Sequence, residues 1–159
     1  MNDRVRRSII LLIFFFFILA PTLTFIHELG HSLLPLLRNE TVIITIGGYE
    51  GPSVNLGRLS VIYVGPWMPW AGFTNWSGER DVFRLALGPL TSLAMAFLFF
   101  YLLRRTRNPN AAFLLRASIA WVVCAVLVTA SPFKYPSFLL KNPTDKSDGL
   151  QIVELLRGD

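Results

Sequence analysis

Three long apolar stretches constrain this chain more than any other feature. They cover about residues 8–37, 82–103 and 111–131. A helix rises 1.5 Å per residue, so about 20 residues cross the hydrocarbon core of a bilayer. The expected fold is therefore a mainly α integral membrane protein with three transmembrane helices. Composition agrees: 53% of residues are hydrophobic and only 16% are charged, which excludes an ordinary soluble enzyme. At 159 residues, one membrane-embedded domain over 1–159 is expected, with no PDZ-like or nucleotide-sensing unit. The net charge of +5 sits largely where apolar runs end. It therefore points to lipid headgroups and excludes nucleic acid as the expected partner. A single cysteine, Cys124, rules out an internal disulfide or a cysteine-built metal site.

Between the first two spans, "TVIITIGG" and "RLSVIYVG" are rich in β-branched residues and predict a small β-hairpin or sheet over about 41–64. The stretch "GPWMPWAGFTNW" reads as an interfacial or partly re-entrant loop. Residues Asp148–Arg157 predict a short amphipathic helix. Pro21 and Pro35 mark expected kinks or ends of the first span. Its beginning, "RVRRSIILLIFFFFILA", imitates a signal peptide, but the apolar run continues past Ala20 and the segment is expected to be retained. Arg4, Arg6 and Arg7 share one membrane side with Arg104, Arg105 and Arg107. The positive-inside rule places that side, and the N-terminus, in the cytoplasm.

Both histidines of the chain fall within "HELGH", residues 27–31, inside the first apolar run. Four residues apart on a helix, His27 and His31 share a face and can aim ring nitrogens at one ion. Glu28, on the neighbouring edge, can touch a metal-activated water as general base. An unpaired carboxylate near lipid is costly, so a bound cation also explains how this polar group is tolerated. A catalytic zinc needs a third protein ligand and one open position. With no further histidine, that ligand must be a carboxylate: Glu40, Glu50, Glu79, Asp81, Asp145, Asp148 or Glu154. His27 follows Arg7 by twenty residues, about 30 Å of helix, so it lies near the face opposite the N-terminus. Asp145 and Asp148 return to that face, where Glu79 and Asp81 also begin the second span.

"HELGH" in a membrane span, followed by a strand-rich segment, "LALGPLTSLAMA" on a later span and "NPTDKSDG" after another, resembles the site-2 protease family of intramembrane zinc metalloproteases. The resemblance covers about residues 20–152. It implies Zn2+ held by His27, His31 and Asp148, with Glu28 as general base. It also implies substrate or oxyanion contacts from Asn142 and from Ser92, which stands where the family usually carries asparagine. Lys146 and Ser147 replace the apolar residues that normally precede the Asp-Gly. Without the resemblance, Asp148 would serve as N-cap of the last helix, completed by Gln151.

The expected activity is zinc-dependent hydrolysis of peptide bonds in a transmembrane substrate. Such a substrate would be held extended against the strands at 41–48 and 58–64. A regulatory membrane partner would then control access. The alternative is a non-catalytic protein of the same fold that binds or shields other membrane helices. A third option places the carboxylate ligand at Glu79 or Asp81. The charge distribution opens the site towards the outer face; the resemblance implies the cytosolic one.

Overall fold

The protein is described here by a computed structural model covering residues 2–47, 51–65, 68, 71–135 and 146–158. Asn142, together with Asp145 and Glu50, lies outside the described residues. The first span is a helical rod made of α1 (Asp3–Phe14), a π-helical turn (Phe15–Leu19) and α2 (Ala20–Leu37). The π turn ends two residues before Pro21, whose ring and missing N–H do not fit a regular α ladder. Within it the Ala20 N–H reaches back five residues, to the Phe15 carbonyl. Pro35 does not break α2. The rod ends in a Schellman motif, with Asn39 in the left-handed region at φ 63°. There Asn39 N–H donates to Leu36 O at 3.1 Å and Glu40 N–H to Pro35 O at 3.0 Å.

The second and third spans are α3 (Val82–Arg105) and α4 (Pro109–Ala130). Asp81 caps α3 by accepting from Arg84 N–H at 2.9 Å. Asn108 caps α4, with Pro109 at its first position. All three rods are long and apolar enough to cross a membrane. Helix α2 packs against α3, and α3 against α4. Phe15 and Phe16 meet the Trp121 ring edge-on at 5.8 and 6.2 Å. The arginine-bearing end of α3 thus shares one end of the bundle with the N-terminus. The start of α3 and the end of α4 lie at the other.

At that second end lies a four-stranded mixed sheet of β1 (Val42–Ile46), β2 (Ser53–Leu56), β3 (Leu59–Tyr63) and β4 (Gly72–Trp76), in the order β2-β3-β1-β4. The expected small sheet is present, but its two predicted strands do not form a hairpin: β1 pairs with β3 in parallel, Val42 opposite Leu59. The true hairpin joins β2 to β3 across a two-residue Gly57-Arg58 turn, and it leaves one edge of β3 for β1. A parallel pair needs a crossover connection, and here β2 and the Gly57-Arg58 turn are part of it. The last five residues of "GPWMPWAGFTNW" are not loop either, since β4 pairs antiparallel with β1. Neither predicted strand keeps a free edge; the outer strands are β2 and β4.

Val42, Ile44 and Ile46 are buried under Phe25, Leu29 and Leu36 of α2. At 100° per residue, those three side chains form one stripe of α2, and His27 and His31 lie about half a turn round from it. The sheet and the histidines therefore use different faces of the same helix. After α4 the chain returns through Ser147 to α5 (Asp148–Arg157), which packs on α3 and α4.

Candidate metal centre

His27 and His31 sit where α2 crosses α3, and each ring is fixed by its Nδ1. His27 Nδ1 lies 2.8 Å from Ser92 Oγ, and His31 Nδ1 lies 2.8 Å from the Arg84 carbonyl. A carbonyl can only accept, so His31 carries its proton on Nδ1 and keeps Nε2 as a lone pair. Gly88 and Ser92 are four apart on α3 and meet His31 and His27, four apart on the antiparallel α2. A Cβ at Gly88 would overlap the His31 ring. That contact accounts for the glycine of the Gly88-Pro89-Leu90-Thr91-Ser92 element. Ser92, only 4% exposed, turns its hydroxyl to a histidine.

Asp148 reaches the same point from α5. Its Oδ2 lies 3.5 Å from His27 Nε2 and 3.3 Å from His31 Nε2, and the two Nε2 atoms are 3.3 Å apart. Ligands about 2.0–2.1 Å from a tetrahedral zinc stand about 3.3–3.4 Å from one another. The triangle found here matches one face of that tetrahedron, so the donor set fits a metal ion. Among the described residues this is the one His/Cys/Asp/Glu group that can hold a metal. With protons in place of a metal on the imidazole Nε2 atoms, burial pushes the Asp148 carboxyl up, but attraction and hydrogen bonds from the two rings overcome it and hold the pKa at about 2. The group is thus anionic at neutral pH.

Asp148 is free to ligate because it is not the helix cap. Ser147 takes that role: its Oγ accepts from Leu150 N–H at 3.2 Å and from Phe133 N–H at 3.2 Å, and donates to Ser131 O at 2.5 Å. Gln151 donates to Lys146 O rather than completing a capping box. At Gly149 the first turn of α5 lies against the end of α4, and a Cβ would come within 2.5 Å of the Ala130 carbonyl carbon. The Asp-Gly pair therefore combines a candidate ligand with the close approach that delivers it.

Glu28 is buried beside the triad, and its Oε2 accepts from Thr74 Oγ1 of β4 at 2.8 Å. Two cavities meet here. One of about 160 Å³ is lined by the three metal-group residues, Glu28 and strand β4. The other, of about 420 Å³, is mostly apolar and opens between α2 and α4, with Leu23, Trp121, Val122 and Val128 in its walls.

The remaining carboxylate candidates among the described residues serve elsewhere. Glu40 forms a two-pronged pair with Arg84, both contacts at 2.7 Å, and Asp81 accepts from Arg84 Nε at 2.9 Å and from Arg38 at 3.2 Å. Burial pushes the Asp81 carboxyl up, yet the Arg84 N–H, the Arg84 guanidinium and Arg38 hold it below the usual range. Glu154 pairs with Lys146 at 2.7 Å, and Glu79 is exposed. Sequence reasoning did not single out Arg84, Thr74 or Ser147. An arginine three residues after Asp81 inside an apolar span was a readable signal for the first. A serine three before Leu150 was one for the last. Thr74 had none, because its role depends on β4 lying over α2. Compared with family models, curated proteins and solved structures, the chain matches none.

Proposed function

We propose that this chain is an intramembrane zinc metalloendopeptidase that cuts transmembrane substrates. The observation carrying this reading is the triangle of His27 Nε2, His31 Nε2 and Asp148 Oδ2, 3.3–3.5 Å on a side, with Glu28 on the wall of the same cavity. Three protein ligands and an adjacent carboxylate are what hydrolysis at zinc requires. When bound, zinc supplies Lewis acidity towards a carbonyl and lowers the pKa of water towards neutrality. Ser92 and the Arg84 carbonyl orient the two imidazoles. Thr74 holds the Glu28 carboxylate, which takes the proton of the attacking water and passes it to the leaving amine.

Strand β4 offers the edge for an extended substrate, in place of the two strands first expected. It is an outer strand, it lines the polar cavity, and its Thr74 touches Glu28. The apolar cavity between α2 and α4 suits the side chains of a membrane segment entering from lipid. In this reading the arginine-bearing end of the bundle is cytoplasmic.

The test is zinc content measured beside cleavage of a transmembrane substrate in detergent. Wild type should hold about one zinc per chain. Asp148→Ala should lose it and Asp145→Ala should keep it. Glu28→Gln should retain zinc and cut nothing. Full zinc in Asp148→Ala sinks the ligand assignment; cleavage by zinc-loaded Glu28→Gln sinks the general-base role.

A further inference from the structure

Hydrolysis by the route above builds negative charge on the substrate carbonyl oxygen. Water adds to the carbonyl carbon, Glu28 takes its proton, and the carbonyl π pair moves onto oxygen. Collapse restores the double bond, breaks the C–N bond, and the nitrogen leaves with the proton from Glu28. A hydrogen-bond donor placed beside that oxygen stabilises this charge only as it develops. The side chains lining the polar cavity can be sorted by whether their donors are already used. Thr74 donates to Glu28, Trp76 to Glu79 O, Lys146 to Glu154 and Gln151 to Lys146 O. Arg80 and Asn75 are exposed.

Among the described residues two hydroxyls remain, and both line the polar and the apolar cavity where they meet: Thr129 and Tyr135. Thr129 stands in the last turn of α4. Its Oγ1 is buried without a hydrogen-bond partner, the one such side-chain atom among the described residues. A helical threonine can turn its hydroxyl to the carbonyl one turn back, and leaving it buried and unpaired costs free energy. Tyr135 follows on the short bridge between Lys134 and Lys146. The Ser147 N–H to Phe133 O bond, 3.1 Å, ties this segment to the residue preceding Asp148. The Tyr135 ring packs edge-on against Phe133 at 5.0 Å. Its phenol has no hydrogen bond among the described residues. Burial and the nearby Asp148 and Glu28 carboxylates push its pKa up, so it remains a donor.

We propose that Tyr135, with Thr129 beside it, donates to the carbonyl oxygen of the peptide bond being cut. This assignment rests on the metallopeptidase reading and adds a catalytic pair that neither Thr74, whose hydroxyl donates to Glu28, nor Ser92, which is turned to His27 and does not line the polar cavity, can supply.

The experiment compares Tyr135→Phe and Thr129→Val with wild type, each loaded with cobalt. The probe is a peptide phosphinate, whose anionic oxygens imitate the tetrahedral species, and binding is read from the cobalt visible spectrum. The matching peptide carboxylate is the reference ligand. Tyr135→Phe should keep its cobalt and its carboxylate affinity, bind the phosphinate about 10- to 100-fold more weakly, and lose about 100-fold or more in kcat with KM little changed. Should Tyr135→Phe fail to load cobalt, Thr129→Val carries the same comparison, with a smaller phosphinate loss. Wild-type phosphinate affinity in the loaded variants overturns the proposal, as does loaded wild type that does not bind phosphinate. Wild type that binds the phosphinate but cuts no substrate overturns the protease reading alone.

Discussion

Replacing Ser92 by alanine separates two roles for a residue first expected at the substrate. The hydroxyl lies 2.8 Å from His27 Nδ1, and both side chains are buried, at 4% and 6% exposure. Removing it leaves a ring nitrogen buried without a partner, at a cost of about 1–3 kcal/mol. At 1.4 kcal/mol per tenfold, that is about 5- to 140-fold in a binding constant. Loss of the outer hydrogen bond of a metal-bound histidine typically costs about 10- to 100-fold, within that range. Ser92→Ala should therefore bind zinc about 10- to 100-fold more weakly, measured by competition with a chromophoric chelator in detergent. Ser118→Ala, at a buried serine on α4, should leave zinc affinity unchanged. Zinc affinity within about twofold of wild type in Ser92→Ala, accompanied by a raised KM, would refute the argument. The hydroxyl would then serve the substrate and not the ligand.

Further substitutions probe the frame around the site. Glu40→Ala strips Arg84, which is 3% exposed, of its two-pronged partner and should cost about 3 kcal/mol or more of stability in denaturant unfolding. Gly88→Ala puts a methyl group onto the His31 ring and should abolish zinc binding as read by metal analysis, whereas unaltered zinc content would mean that the α2–α3 crossing yields easily. Asp81 sets a pH dependence. Its carboxyl is held below the unfolded value of about 3.9, so its stabilisation is present above about pH 4 and fades as pH falls through the folded value. The stability gap between wild type and Asp81→Asn should be full at pH 7 and close on acidification; a gap constant into strong acid would count against the pairing with Arg84.

The spans were legible because hydropathy acts locally: α3 and α4 end within about two residues of the predicted bounds. The pentapeptide His27–His31 was equally legible, since helical spacing alone brings the two rings together. The sheet was not. Parallel pairing of β1 with β3 is decided by the Gly57-Arg58 turn and by β2, whose four residues are all exposed and carry no alternation. Strand β4 hides among tryptophans, prolines and glycines, although it is the strand that touches Glu28. The carboxylate that meets the two histidines was open on residue type alone, because seven look alike until Arg84 occupies Glu40 and Asp81. Ser147 read as a departure from a motif, yet it caps α5 and leaves Asp148 to the histidines. Thr129 and Tyr135 left no mark in the sequence, because their interest lies in the partners they lack.

The π turn at Phe15–Leu19 carries a further consequence. One extra residue in a helical turn rotates everything beyond it by about 100°. The turn thus sets the azimuth of α2, deciding whether His27 and His31 look towards α3 or away from it. It lies within and just after Phe14–Phe17, four identical residues in a row, from which losing any one yields the same shortened chain. The aim of the two histidines is therefore set two turns or more before them, by the count of phenylalanines and not by their chemistry.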